Sequence, residues 1–429
     1  MNYAETINFL YSRLPMFSKQ GADALKKDLH NIRALEQANG NPHTKFKSIH
    51  IAGTNGKGST SHMLAAILQK AGYKTGLYTS PHLKDFRERI RINGQMIPEQ
   101  RVIELTEAFI PLMNAIEPSF FEITVAMAFQ WFAEEQVDIA VIETGLGGRL
   151  DSTNIILPEL SVITNIGWDH MHILGNDLPT IASEKAGIIK PGIAVVIGEV
   201  LQETKPVFER VASSLGSPIH FAEEEQELVE WNFSNHRLQV TVRNRHAQDA
   251  LHLELDLPGY YQLKNIRTVL QAVELLKQAG WKISPVVLKE AVANVKHLTG
   301  LHGRWELIGQ SPDLVLDVAH NEDGIRSILK QLELCNFRQL HLVMGMVKDK
   351  DVCKVLSLLP ASASYYFTQA QIPRAMPAEE LSGKAEEFQL IGKAYPNVNL
   401  AIAAATAAAD KRDLILVCGS VFVVGEVTR

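Results

Sequence analysis

The segment Ile51-Ala-Gly-Thr-Asn-Gly-Lys-Gly-Ser-Thr60 constrains the fold more than any other stretch of the chain. It follows an apolar run, residues 46–52, in which Ile49 and Ile51 share one face. It precedes residues 61–71, where Met63, Leu64, Ile67 and Leu68 recur at helical spacing and Gly72 supplies a stop. Residues 74–79 read as the next strand. A strand–loop–helix–strand unit implies a parallel sheet with right-handed crossovers. Glycines between strand and helix let the backbone turn tightly and present successive N–H groups. The helix N-terminus adds partial positive charge, so the turn is an anion site. Lys57 supplies a mobile ammonium for β- and γ-phosphates, and Ser59 or Thr60 a hydroxyl for phosphate or Mg²⁺. Gly58, between lysine and hydroxyl, departs from the ordinary phosphate-loop spacing. The segment predicts nucleotide binding.

The same rhythm continues. Residues 138–143, 160–164 and 193–197 read as strands, with a helix around 181–189. Strict alternation at 238–242 and 251–257 predicts an antiparallel hairpin or meander packed on the main sheet. Residues 261–279 and 285–295 read as helices. Beyond a break near residue 300, strands at 313–318, 340–344, 364–368 and 414–418 alternate with helices, and Ala-rich 401–409 is one of these. The expected fold is α/β with two domains, 1–298 and a smaller 299–429.

Composition narrows the partners. A net charge of −6 argues against a general nucleic-acid binder. Cys335, Cys353 and Cys418 are odd in number and widely spaced, which suits free thiols in a reducing compartment rather than a disulfide framework or a thiolate zinc site. Residues 1–6 lack the pattern of a secretory signal, and no run approaches the ~18 apolar residues of a membrane span. These features predict a cytoplasmic protein with neither nucleic acid nor membrane as partner.

Polar residues then gather at the carboxyl ends of strands, where open parallel sheets bind ligands. Glu143 ends an apolar run and suits Mg²⁺, which takes few protein oxygens beside phosphates and water. Ser80 and His170 reach the same edge. Lys185 lies on a mostly apolar helix; a protonated lysine cannot ligate a metal, whereas a carbamylated one can.

Gly53-Thr-Asn-Gly-Lys-Gly-Ser, Thr79-Ser-Pro-His-Leu, Glu143-Thr-Gly-Leu-Gly-Gly-Arg-Leu-Asp-Ser-Thr-Asn, Asp169-His and Glu184-Lys-Ala-Gly-Ile occur in that order. Gly303-Arg304, Asp317-Val-Ala-His-Asn321, Gly345-Met-Val-Lys-Asp-Lys-Asp351 and Cys418-Gly-Ser-Val-Phe follow. Together they resemble the folylpolyglutamate synthase/dihydrofolate synthase family of the Mur ligase superfamily, over nearly the whole chain. The resemblance implies a Mur-ligase-like fold, with an ATP-binding first domain that also carries the pterin or folate site and a second domain for glutamate ligation. The implied reaction is ATP-dependent addition of L-glutamate to dihydropteroate and to reduced folates through an acyl phosphate. Its alternative is a folylpolyglutamate synthase without the first activity, acting as a monomer in either case. By the resemblance, Thr54, Asn55, Gly56, Lys57, Gly58 and Ser59 cradle ATP, joined by Asn265, Arg304 and Asp317. Ser80 and Glu143 hold one Mg²⁺, and His170 with a carbamylated Lys185 a second. His320 positions the γ-phosphate or the amine. Ser119, Phe120, Phe121, Glu122, Leu150, Asp151 and Ser152 match positions that hold the pterin. Residues 17–21 sit where such members place a further pterin contact, with a sequence that departs from the bifunctional form.

Overall fold

The computed structural model describes residues 1–16, 28–247, 249–348 and 350–428; the expected pterin contact at 17–21 lies outside them. Eight strands form the first sheet: β1 (Lys47–Ala52), β2 (Thr75–Tyr78), β3 (Ile90–Ile92), β4 (Gln95–Met96), β5 (Ile139–Glu143), β6 (Leu160–Ile163), β7 (Val195–Ile197) and β8 (Ile219–Phe221). Their order is β4-β3-β2-β5-β1-β6-β7-β8. Neighbours from β2 through to β8 run parallel, and β3 and β4 add an antiparallel edge.

Side chains of β1 and β5 are buried on both faces because helices cover both. Ile49, Ile51, Ile139 and Val141 pack into one core with the Lys57–Lys70 helix. Ala140, Ile142 and Tyr78 pack into another with the Phe120–Glu134 helix. Register then fixes the site. Ile51 pairs with Glu143, Tyr78 with Ile142 and Ala52 with Ile163. The phosphate loop, Ser80, Glu143 and Thr164 therefore leave the sheet at one edge.

The helix after the phosphate loop starts at Lys57, a turn before the expected Ser61. Its opening turn is polar because it faces the site, so apolar periodicity begins only in the second. The alternating strands form a separate sheet, β9 (Gln226–Ser234), β10 (Arg237–Asn244) and β11 (Ala250–Leu255). It does not lie on the main sheet. Leu238, Val240 and Leu253 join the core through Ile266, Leu270 and Leu288, residues of the helices Gln262–Gln278 and Pro285–Val292. Alternation gives one buried face but not the layer that covers it.

The smaller C-terminal domain has a six-stranded sheet: β12 (Glu306–Gly309), β13 (Asp313–Leu316), β14 (Leu340–Met344), β15 (Ser364–Phe367), β16 (Gly392–Ala394) and β17 (Leu414–Cys418). The order is β12-β13-β17-β14-β15-β16, antiparallel at β12 and parallel elsewhere. The Ala-rich segment is the helix Val398–Ala408, which buries Val398, Ala401 and Ala405 along one stripe. The domains touch beside Ser80: Lys84 Nζ donates to Val427 O at 2.6 Å.

Candidate functional site

Residues of both domains line one cavity of about 1000 Å³. At its floor the first hydrogen bond of the Lys57–Lys70 helix runs from Thr60 N–H to Gly56 O (2.9 Å). The N–H groups of Gly56, Lys57, Gly58 and Ser59 precede it and have no carbonyl one turn back, which is the anion-binding end of a helix. The loop is held from β6. Thr54 N–H donates to Asn165 O at 3.0 Å, and Asn55 N–H to Asn165 Oδ1 at 2.8 Å. Thr164 Oγ1 donates to Asn55 O at 2.6 Å.

Two loop glycines are required. Gly56 caps the helix at φ 84°, and a Cβ there would lie 2.4 Å from Asn265 Oδ1. Gly53 has φ 147°, and a Cβ would lie 1.9 Å from Thr164 Oγ1. Gly53→Ala is expected to push Thr164 off the Asn55 carbonyl and cost about 3 kcal/mol of stability, combining a strained φ with a buried overlap. A shift of the denaturant midpoint with unchanged slope would show it; an unchanged midpoint would refute it.

Lys57 folds back along the loop, its Nζ donating to Gly53 O (3.0 Å) and Thr54 O (3.2 Å). Lys185 Nζ donates to the same Gly53 carbonyl at 3.0 Å, although Lys185 is only 3% exposed. Burial brings its amine down to about 7, and the neighbouring Lys57 charge adds to the shift. Burial likewise raises the Glu143 carboxyl to about 7. Lys57, Arg304 and the Ser80 N–H pull it the other way. A cation bound beside Glu143 would restore its charge. Among the described residues no three His, Cys, Asp or Glu side chains form a metal cage. One buried carboxylate beside a phosphate loop nevertheless fits Mg²⁺, whose remaining ligands are phosphate oxygens and water. Thr60, the alternative to Ser59, is fully buried, with a hydroxyl that meets no partner. Ser59 Oγ accepts from Gln262 Nε2 at 3.0 Å, and Gln262 Oε1 in turn orients Asn265 (2.8 Å).

The second domain brings Arg304 over the loop: a Cβ on Gly58 would lie 3.1 Å from Arg304 Nη2. Asp317 is buried and accepts from Tyr261 OH (2.7 Å), Trp305 N–H (2.9 Å) and Ala319 N–H (2.9 Å). His320 Nε2 lies 3.3 Å from Asp169 Oδ2. Lys350 Nζ donates to Asp169 Oδ1 and lies 3.4 Å from His170 Nε2. Burial opposes ionisation of Asp169, but the His320 hydrogen bond and the charges of His170 and Lys350 hold it well below the usual carboxylate range.

The expected pterin residues line the same cavity, but several have other work. Ser119 and Glu122 form a capping box for the Phe120–Glu134 helix: Ser119 Oγ accepts from Glu122 N–H, and Glu122 Oε2 accepts from Ser119 N–H at 2.7 Å. Phe120 is core, between Tyr11 and Phe86 at ring distances of 5.5 and 6.0 Å. Phe121 is half-buried and covers Gly145, where a Cβ would lie 2.5 Å from its ring. Asp151 Oδ2 accepts from Gly145 and Leu146 N–H, both at 2.8 Å. Its Oδ1 accepts from Thr153 N–H at 3.0 Å and from the Thr153 hydroxyl. Those four bonds fill the lone-pair positions of a carboxylate. Asp151 builds the loop that follows β5, and a pterin edge would have to share an oxygen already in use. Leu150 and Ser152 flank it on the cavity wall.

Sequence reasoning gave no role to Asn165, Asp169, Tyr261, Gln262, Asn321 or Lys350, although Asp169, Asn321 and Lys350 lie in the motifs that carry the resemblance. Asn165 and Asp169 had a usable signal, since both follow β6 at the edge that carries Glu143. Gln262 had none, because its partner Ser59 is distant in sequence.

Comparison with known proteins agrees with this geometry. The Mur ligase middle domain family matches residues 51–273, and the Mur ligase glutamate ligase domain family matches 303–421. The folylpolyglutamate synthase of Lacticaseibacillus casei is 33% identical over 392 residues, covering 88% of each chain. The dihydrofolate synthase/folylpolyglutamate synthase of Bacillus subtilis is 33% identical over 399 residues, covering 90% of this chain and 89% of its own. The solved structure of Escherichia coli FolC in complex with DHPP and ADP superposes with a TM-score of 0.84 at 29% identity, over 99% of this chain and 96% of that one. Two Mur ligase domains matched in order, and relatives of one kind aligned along about nine-tenths of its length, place this chain in the folylpolyglutamate synthase/dihydrofolate synthase family of Mur ligases.

Proposed function

We propose that the chain is an ATP-dependent amide ligase. It joins L-glutamate to dihydropteroate, giving dihydrofolate, and to the γ-carboxylate of reduced folates, releasing ADP and phosphate. The observation that carries this reading is the meeting of Lys57, Glu143 and Lys185 from the first domain with Arg304, Asp317 and His320 from the second around one cavity. The relatives' names supply the substrates.

A carboxylate is a poor electrophile, so ATP first phosphorylates it; the glutamate amine then attacks the acyl phosphate and phosphate leaves. The chain's work is to hold two anions together and keep water out. The free amides of Gly56 to Ser59 and the Lys57 ammonium receive the phosphates. Thr54 and Asn55 shape the loop, Asn265 and Asp317 hold the nucleotide, and Arg304 closes over Gly58. Ser80 and Glu143 would hold a Mg²⁺ beside the β- and γ-phosphates, where it would neutralise charge. His170 and a carbamylated Lys185 would hold a second, near the acyl phosphate. His320 would steady the γ-phosphate or the amine. Phe120, Phe121, Leu150, Asp151 and Ser152, with Ser119 and Glu122 behind them, would form the pterin wall. The working unit is a cytoplasmic monomer divided at residues 298/299, with small molecules as its partners. Among the described residues no helix is long and apolar enough to cross a membrane.

The test is ADP release and product mass with ATP, Mg²⁺, L-glutamate and either dihydropteroate or tetrahydrofolate. Amide product from both acceptors is expected. Product from tetrahydrofolate alone would leave the monofunctional reading suggested by the L. casei relative's name. ATP hydrolysis without amide product would overturn the ligase reading.

A further inference from the structure

Asn321 begins the Glu322–Glu333 helix in the second domain, and its Oδ1 accepts from Gly324 N–H at 2.9 Å. That backbone donor fixes the amide orientation, since only the oxygen can accept. The nitrogen must then face the first domain, and its two protons meet two acceptors there. Asn321 Nδ2 donates to Asn55 Oδ1 at 3.1 Å and to Asp169 Oδ2 at 3.2 Å. Asn55 Nδ2 returns a hydrogen bond to Asn321 Oδ1 at 3.2 Å. Asn321 is 5% exposed and uses both donors and both acceptor positions. Asn55 is itself part of the phosphate loop, with its backbone held by Asn165 and Thr164. A domain contact thus ends on the loop that precedes the helix N-terminus.

Asp169 gathers the rest of the contact, meeting His320 and Lys350 as well as Asn321. All three come from the second domain, so the carboxylate's partners are complete only when that domain is docked.

We propose that Asn321 is a positioning residue for nucleotide binding: through its reciprocal amide pair with Asn55 it sets the phosphate loop when the second domain docks. ATP affinity is thereby coupled to domain closure, although Asn321 belongs to the other domain. The inference rests on nucleotide binding at the loop, and not on which acceptor is glutamylated.

Asn321→Ser separates the two jobs of the residue. Serine keeps the helix cap but is too short to reach Asn55 and Asp169. Binding of a non-hydrolysable ATP analogue to the full chain, by calorimetry, reads the effect without any acceptor. Asn321→Ser is expected to weaken it about tenfold, a coupling of ordinary size, while the melting temperature stays within about 2 °C. Asn55→Ala should weaken it similarly, and the double variant should bind within about threefold of the weaker single, because both remove one interaction. Losses that multiply across the two sites would overturn the proposal, as would unchanged binding in Asn321→Ser. Asn321→Asp is a second check. It keeps the cap but sets a carboxylate against Asp169, so it should bind no better than Asn321→Ser; wild-type binding would also overturn the proposal. Failure of the folate reading would appear as absent amide product in the wild type and would leave this measurement standing.

Discussion

Lys57→Ala is expected to lower ATP-dependent product formation at least ~1000-fold with either acceptor, the scale of losing a charge clamp on a transferring phosphoryl group. The ammonium is already in place: its two hydrogen bonds are to backbone carbonyls of its own loop, at 3.0 and 3.2 Å. It can turn from them to phosphate oxygens without breaking a side-chain ion pair. Lys57 is half-buried and packs into no apolar cluster, so the variant should fold, with a melting temperature near that of the wild type. Lys57→Arg should not restore activity. A guanidinium is planar and longer, and cannot occupy the space between the loop carbonyls and the helix N-terminus as an ammonium does. ADP release under saturating ATP measures the loss. Turnover within tenfold of wild type in Lys57→Ala would remove the phosphate loop from the reaction.

What the sequence could carry follows from how local each signal is. The loop, its strand and its helix are contiguous, and one physical cause, a turn that exposes amides before a helix, dictates all three. Glu143 and Ser80 were legible for the same reason: each ends an apolar run, and in a parallel sheet all such ends share an edge. Short strands without an apolar run were not legible. β3, β4, β12 and β16 span two to four residues broken by Arg91, Gln95, Glu306 and Lys393, whereas the equally short β7 is Val-Val-Ile. On the pterin side, Ser119-Phe-Phe-Glu122 carries two meanings. It is a capping box by spacing and a ring-plus-carboxylate by composition, and the structure uses the first. The domain contact was the least legible. Asn55 and Asn321 are 266 positions apart, and an asparagine in a loop says nothing about its partner until the domains are placed.

On the proposal that Lys185 works as a carbamate, Lys185→Ala is expected to lose at least ~100-fold in product formation and to recover part of it with acetate, a small carboxylate that can stand in for the lost anion. Lys185 is buried and shares the Gly53 carbonyl with a second lysine. Burial and the Lys57 charge bring its amine down to about 7 against the opposing charges of Asp169 and Asp151. A neutral amine is the form that reacts with CO₂: the N–C bond forms, one proton is released, and a carbamate anion results. The sign with pH follows. Below pH 7 the amine is protonated and inert, so the carbamate is lost as pH falls. Glu143, once a cation sits beside it, stays ionised through this range and adds no second ionisation. Activity should therefore climb between pH 6 and 8 with the slope of a single titration. In Lys185→Ala rescued by acetate, that rise should flatten. Depleting bicarbonate should slow the wild type and leave the rescued variant unaffected. Wild-type activity in Lys185→Ala, or full activity of the native enzyme without CO₂ and without a labile adduct on Lys185 in its mass spectrum, would exclude a carbamate at this position.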